Sequence, residues 1–243
     1  MGTRVTRNVF SLLNIAILLI IINVVVIYAL DIIFSRWIRV ISMLIFLTLL
    51  LFKRNFTNNF ISIALFFLLL RDICIINYEV PIFRTISFFG TIGAYLVITY
   101  FILRRLKLFV FSPKIILFTI GLVALNIFNV YYLSDIVIPV LDNSLQLILF
   151  FLQSAIILFM ALFAYTYFET YSGKRPLFYL YFVFAFILSD LAGLAAYFFG
   201  LEEAYYFERI FYLAGVGLLV YFVANFAQVE EHPSELVTEK ILL

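Results

Sequence analysis

Residues 9–30 read VFSLLNIAILLIIINVVVIYAL and contain no charged side chain. A helix of about 20 residues, rising 1.5 Å per residue, crosses a hydrocarbon core of roughly 30 Å. The stretch follows Arg4 and Arg7, but it is longer than the roughly 7- to 15-residue apolar core of a signal peptide and lacks a small-x-small cleavage pattern. We therefore interpret it as a retained first transmembrane helix.

The composition of the whole chain agrees with this interpretation. Hydrophobic residues make up 66% of the 243 residues, charged residues make up 12%, and the mean hydropathy is +1.18. Soluble domains are about half apolar and a quarter charged, so a soluble globular protein is excluded. A membrane β-barrel would show alternating segments of about ten residues, and the sequence has none. We predict an all-α, polytopic integral membrane protein.

Short polar breaks divide the chain into apolar segments. Pro113 and Pro176 stand at segment starts, where a missing amide proton is harmless, and Pro81 and Pro139 are predicted to lie in connections. We predict a single transmembrane domain over residues 1–228 and a polar cytoplasmic tail over residues 229–243. The eight predicted spans are 9–30, 37–52, 59–78, 83–103, 113–133, 145–168, 176–199 and 205–227.

The distribution of Lys and Arg predicts the orientation. Connections on the N-terminal side carry eleven basic residues, and the opposite side carries four, Arg36, Arg39, Arg84 and Arg209. Because basic residues concentrate in cytoplasmic loops, both termini are predicted to be cytoplasmic. The predicted location of the protein is the cell membrane.

A repeated order of features suggests two parallel four-helix units, repeat 1 over about 9–103 and repeat 2 over about 113–227. In each half a Lys-Arg pair precedes a helix that carries one aspartate, an acidic loop follows, and the next helix has an arginine six residues before a glycine. The matched residues are Lys53–Arg54 and Lys174–Arg175, Asp72 and Asp190, Glu79 and Glu202–Glu203, and Arg84–Gly90 and Arg209–Gly215.

Asp72 and Asp190 are the candidate catalytic residues. An ionised carboxylate within a bilayer is costly and usually faces a cavity or a partner, and two acids in one cavity can act as general acid and base. The alternative is that Arg71 neutralises one or both acids in a buried ion pair that fixes helix register. Arg71 could reach Asp190 or extend to a lipid phosphate.

Several neighbouring residues are candidate substrate-binding residues. Ser189, Gly193 and Tyr197 lie near the Asp190 face of the seventh helix, and Tyr212 and Gly215 form a small-residue surface on the eighth. With Arg71, these complete the predicted binding set. Helix packing is the alternative role of the glycines, and the amides of Asn126 and Gln153 are interpreted as helix-to-helix contacts.

The sequence argues against several other functions. The chain has one cysteine, Cys74, and one histidine, His232, so we predict no metal site and no cofactor. Ser189 has no histidine to serve as its base, which disfavours serine hydrolase chemistry. Basic residues are scattered over helix ends, so no nucleic-acid partner is expected.

The motif Ile187-Leu188-Ser189-Asp190-Leu191, followed by Tyr212-Leu213-Ala214-Gly215, resembles the YhhN or lysoplasmalogenase-like membrane proteins. These are eight-helix proteins with an early Gly-Asp motif and a late Ser-Asp motif. This chain departs from that pattern at Arg71, where the family has glycine, at Tyr95, where it often has histidine, and at Gly215, where it has glutamine.

The resemblance implies hydrolysis of the vinyl ether bond of lysoplasmalogens, with a membrane lysolipid as substrate. Carried over to this chain, Asp72 and Asp190 would share proton donation and water activation. Two other functions remain open: a non-catalytic membrane sensor or assembly subunit, and a small-molecule transporter.

Overall fold

The computed structural model of the protein describes residues 2–52, 59–106, 112–226 and 232–233. Long α-helices dominate the described residues, in agreement with the predicted all-α class. The helices are α1 (Gly2–Ala29), α2 (Ile32–Phe52), α3 (Asn59–Ile76), α4 (Pro81–Leu103), α5 (Pro113–Val137), α6 (Ser144–Thr170), α7 (Lys174–Phe198) and α8 (Ala204–Phe226).

Six of these helices are long and apolar enough to cross a membrane. The prediction of a polytopic, all-helical membrane protein is therefore confirmed at this level. The six segments are Leu12–Ala29, Ile32–Phe52, Pro81–Leu103, Ser144–Thr170, Lys174–Phe198 and Ala204–Asn225.

Local sequence explains where several helices begin. Pro81 is the first residue of α4, after the extended residue Val80, so its predicted place in a connection is wrong. Proline suits a first helical position because no partner is needed for an amide proton there. Asn143 caps α6 by accepting a hydrogen bond from the Gln146 amide. Gly173 precedes α7 with φ of 112°, a conformation that favours glycine.

Two close helix pairs frame the interior, α3 against α4 and α7 against α8. A Cβ atom at Gly90 would lie 3.0 Å from the Phe67 carbonyl oxygen, so α3 and α4 approach closely there. Helices α1 and α2 pack against α8, and α4 packs against α6. A Cβ at Gly217 would lie 2.9 Å from the Cβ of Ala16, which shows the same close approach between α1 and α8.

The interior divides into two regions along the helix axes. Towards the start of α7 the core is aromatic, with Tyr179, Phe182 and Phe222 fully buried. Towards the opposite end, which carries the α3–α4 and α7–α8 connections, the interior holds buried charged side chains. We call this the α3–α4 end.

A short antiparallel pairing joins two distant parts of the chain. The strand β1 (Tyr171–Ser172) pairs with β2 (His232–Pro233). The rest of the predicted tail, and Lys53 and Arg54 of the predicted repeat, lie outside the described residues.

Candidate functional site

The helical phase of α2 turns two arginines inward. Arg36 and Arg39 are buried on the same face as Met43 and Phe46, whereas Trp37 is about half exposed. Spacings of three and four residues keep these side chains on one face of the helix. The prediction had counted Arg36 and Arg39 as charges of a connection, and they instead belong to the interior.

Arg39 is bound to two carboxylates from different helices. Its Nε donates to Oδ1 of Asp72 at 2.9 Å, and its Nη1 donates to Oε1 of Glu208 at 2.6 Å. The exposed fractions of these three side chains are 2% for Arg39, 0% for Asp72 and 6% for Glu208. Charge-assisted hydrogen bonds of this kind are needed to offset the cost of removing ions from water.

Both carboxylate oxygens of Asp72 have polar partners. Besides Arg39, the Nε of Arg71 lies 3.3 Å from Oδ1 of Asp72. The Tyr212 hydroxyl donates to Oδ2 at 2.5 Å. The guanidinium carbons of Arg39 and Arg71 lie over the Tyr212 ring, 4.2 Å and 4.4 Å from its centroid. Tyr212 therefore contributes a hydrogen bond and a cation–π surface to the same cluster.

Arg209 extends the network towards α1. Its Nη1 donates to Oδ1 of Asn23 at 2.9 Å and to the Ser35 carbonyl at 2.6 Å. Its Nε lies 3.6 Å from Oε2 of Glu208. Arg209 was counted among the basic residues on the side opposite the termini, yet its exposed fraction is 3% and it belongs to the interior.

Asp190 has a more open environment. The Tyr95 hydroxyl donates to Oδ2 of Asp190 at 2.7 Å, and Nη1 of Arg71 lies 3.8 Å from Oδ1. The Asp190 side chain is 18% exposed. Both predicted catalytic aspartates thus approach one guanidinium, that of Arg71, but only Asp190 retains an accessible edge.

These side chains form what we call the charge cluster: Arg39, Arg71, Asp72, Asp190, Glu208 and Arg209. Three cations and three carboxylates are balanced if all are ionised. A balanced cluster is far less costly inside a bilayer than an isolated charge.

A cavity of about 200 Å³ opens beside the charge cluster, and we call it the Asp190 cavity. Its charged wall is formed by Arg39, Arg71, Asp190 and Glu208. The facing walls are mainly apolar and aromatic and come from α3, α4, α6 and α7. They include Ile75, Phe88, Phe150, Ile157, Ile187, Leu191 and Leu194.

An ion pair and a column of three tyrosines lie at the α3–α4 end of the protein. Arg36 binds Glu79 through both terminal nitrogens, at 2.9 Å and 2.7 Å, and this hydrogen bonding lowers the pKa of Glu79. The Tyr197 ring lies 5.2 Å from that of Tyr78 and 5.1 Å from that of Tyr205.

The predicted binding residues are only partly brought together. Arg71, Ser189, Gly193 and Tyr197 line the Asp190 cavity. Tyr212 does not line it and instead binds Asp72. Gly215 also lies elsewhere, where an added Cβ would meet the Phe186 ring at 3.1 Å, so it serves helix packing.

Sequence reasoning missed Arg39, Glu208 and Tyr95 as members of the site. Helical spacing carried a usable signal for Glu208, since it is in phase with the buried residues Tyr212 and Leu219 of α8. Within the described ranges no three His, Cys, Asp or Glu side chains are grouped as metal ligands.

Comparison with protein-family models, curated proteins and solved structures gave no match to this chain.

Proposed function

We propose that this protein is a membrane hydrolase that cleaves the vinyl ether bond of lysoplasmalogen-type lysolipids, with Asp190 as the proton donor. The observation that carries the proposal is the position of Asp190 on a largely apolar cavity, with an 18% exposed carboxyl group held by Tyr95 and beside Arg71. The resemblance to the YhhN family around Ser189 and Asp190 points to the same chemistry.

The proposed reaction needs one carboxyl group that donates a proton and later receives one. Protonated Asp190 transfers its proton to the alkene carbon farther from the ether oxygen, which leaves an oxocarbenium ion and an Asp190 carboxylate. Water adds to that ion and gives a proton back to the carboxylate. The resulting hemiacetal collapses to an aldehyde and a glycerophospho-alcohol, so one water is consumed for each bond broken.

Asp72 has a positioning role in this proposal. Its side chain has no exposed surface, and its oxygens are bound to Arg39, Arg71 and Tyr212. A carboxylate so enclosed cannot reach a vinyl ether in the cavity, but it fixes the guanidinium that lies beside Asp190. Of the two aspartates predicted to be catalytic, Asp190 is therefore the one we assign to the chemistry.

The size of the cavity supports a substrate that is only partly enclosed. A volume of about 200 Å³ is smaller than the roughly 300–1,000 Å³ typical of pockets that enclose a drug-sized ligand. The reacting part of a lysolipid would occupy it, while the hydrocarbon chain continues along the lipid-facing surface.

The test is aldehyde release by the purified full-length protein in an uncharged detergent. Lysoplasmenyl lipids should yield aldehyde, and Asp190→Asn should lower the rate by about 10²- to 10⁴-fold because the general acid is lost. Asp135→Asn is a matched control, since Asp135 is exposed on α5. Absence of aldehyde with every lysoplasmenyl lipid, or full activity of Asp190→Asn, would refute the proposal.

A second candidate function is a non-catalytic membrane sensor or assembly subunit. The observation in its favour is the charge balance of the cluster. The ion pairs among its three arginines and three carboxylates can be purely structural, so no reaction is needed to account for them. Under this alternative, lysolipid binding or partner assembly would depend on the cluster while no aldehyde is released.

We also propose the finer topology: eight spans in two parallel four-helix repeats, with both termini cytoplasmic in the cell membrane. Support comes from two close pairs, α3 with α4 and α7 with α8, each with an aspartate on its first helix that binds a tyrosine of another helix. The burial of Arg36, Arg39 and Arg209 removes them from the loops opposite the termini, which sharpens the basic asymmetry. Accessibility of single cysteines in the α2–α3 and α3–α4 connections, probed from each side in cells, tests this topology.

A further inference from the structure

We infer that the Asp190 cavity contains an anion subsite at the terminal nitrogens of Arg71, which takes the phosphate group of an amphiphile. The amphiphile's identity as a lysolipid rests on the proposed function, but the subsite itself rests on geometry. It is defined by Nη1 and Nη2 of Arg71 and the cavity surface beside them.

Arg71 has unused hydrogen-bonding capacity. Its Nε is bound to Asp72, but Nη1 lies 3.8 Å from the nearest Asp190 oxygen, which is too long for a hydrogen bond. Nη2 is buried and has no hydrogen-bond partner in the part of the chain that the structure describes. The side chain is only 5% exposed, yet the residue lines the cavity. Both donors of one guanidinium edge are thus left without an acceptor.

That unused edge has the geometry for a phosphate. The two terminal nitrogens of a guanidinium donate parallel hydrogen bonds to two oxygens of a phosphate or carboxylate. The charge balance is also compatible with an anion. When Asp190 carries the proton that the hydrolysis requires, Arg71 loses one of its two negative neighbours, and an anionic ligand oxygen can replace it.

The remaining cavity wall suits an amphiphile better than a free ion. Ile75, Phe88 and Leu191 supply apolar surface near the charged wall. Asn126 and Gln153 also line the cavity, and neither amide has a hydrogen-bond partner among the described residues, although both were predicted to join helices. These amides can bind hydroxyl groups between a phosphate and an alkyl chain.

The experiment is calorimetric titration of the full-length protein in a fixed concentration of uncharged maltoside detergent. The probes are dodecyl phosphate, uncharged monododecylglycerol and inorganic phosphate. We expect dodecyl phosphate to bind at least about 10-fold more tightly than either of the others, since only it combines the anion with the chain. Equal binding of monododecylglycerol would overturn the anion subsite, and equal binding of inorganic phosphate would overturn the amphiphile.

Variants test the role of Arg71. The double variant Arg71→Gln/Asp190→Asn removes one charge of each sign and so keeps the cluster balanced. It should bind dodecyl phosphate about 10- to 100-fold more weakly, as expected when charge-assisted hydrogen bonds are lost. Arg84→Gln is the control, because Arg84 pairs with Asp142 and does not line the cavity. Unchanged binding by the double variant would overturn the subsite.

Arg71→Lys provides a second readout if the double variant does not fold. Lysine keeps the charge beside Asp72 but lacks the paired donors, so binding should weaken while the protein stays folded. The experiments distinguish failure of the subsite from failure of the proposed hydrolysis. Selective dodecyl phosphate binding without aldehyde release would refute the hydrolase only, whereas aldehyde release with a KM unaffected by Arg71→Lys would refute the subsite only.

Discussion

The surroundings of Asp72 and of Asp190 differ although both aspartates lie on helices and both lie beside Arg71. Asp72 is fully enclosed, with hydrogen bonds from Arg39 and Tyr212 at 2.9 Å and 2.5 Å. Asp190 accepts a hydrogen bond from Tyr95 and has an 18% exposed side chain on a cavity. Under the proposed function, this difference assigns a structural task to Asp72 and a chemical task to Asp190.

The largest expected effect separates the two aspartates by stability. Asp72→Asn removes the buried carboxylate that both Arg39 and Arg71 contact, and should lower the free energy of unfolding by about 3–5 kcal/mol. Asp190→Asn should cost no more than about 1–2 kcal/mol, since its amide oxygen can still accept from Tyr95. Equilibrium unfolding in mixed micelles measures both. Similar losses of unfolding free energy in the two variants would contradict the proposed difference between Asp72 and Asp190.

The two tyrosines offer a matched comparison with a smaller effect. Tyr212→Phe removes the hydrogen bond to Oδ2 of Asp72 and should cost about 1.5–3 kcal/mol, as expected for a hydrogen bond to a charged group. Tyr95→Phe removes the partner of Asp190, but the cavity leaves room for water, so the cost should be below about 1 kcal/mol. We expect Tyr95→Phe to lower kcat instead. A larger loss of unfolding free energy in Tyr95→Phe would contradict the comparison.

The glycines of the two helix pairs should also respond differently. An added Cβ at Gly90 would lie 3.0 Å from the Phe67 carbonyl oxygen, so Gly90→Ala must separate α3 from α4 and should cost about 1–3 kcal/mol. At Gly193 the nearest atom, Cγ of Glu208, is 3.4 Å away, and the change should be within about 0.5 kcal/mol. Thermal unfolding of both variants measures the two effects. Equal shifts of Tm in the two variants would contradict the expected difference.

The smallest effect concerns the ion pair between Arg36 and Glu79. Hydrogen bonding from Arg36 lowers the pKa of Glu79 below its usual value, so its stabilisation is complete above pH about 5 and is lost as pH falls through the lowered pKa. Because the Glu79 side chain is 69% exposed, the contribution should be below about 1 kcal/mol.

Comparison with Glu79→Gln isolates this contribution. The difference in unfolding free energy between wild type and variant should be constant near neutral pH and shrink in acid. A difference that grows as pH falls would show that the carboxylate is not stabilised by Arg36.

Much of the fold could be predicted from the sequence because lipid-facing helices leave long apolar runs. The predicted segment 113–133 lies within α5, and 145–168 lies within α6. That Asp72 and Asp190 face interior partners was also predictable, because charged groups in such helices usually face a cavity or a partner.

The partners of these aspartates were harder to predict. Arg39 looked like a connection charge because basic residues usually mark loops, and only its phase with Met43 and Phe46 signalled burial. Which aspartate faces the cavity depends on the rotation of α3 and α7 about their axes. Helix rotation is set by packing against neighbours, for which a single sequence gives weak information.

The most direct measurement of the central claim, that Asp190 and not Asp72 is open to a ligand, is chemical modification of carboxyl groups. The full-length protein would be treated with dicyclohexylcarbodiimide in detergent at mildly acidic pH, and the modified residues mapped by mass spectrometry. We predict modification of Asp190, its suppression by a lysoplasmenyl lipid, and an unmodified Asp72. Modification of Asp72 with Asp190 left intact would contradict the account.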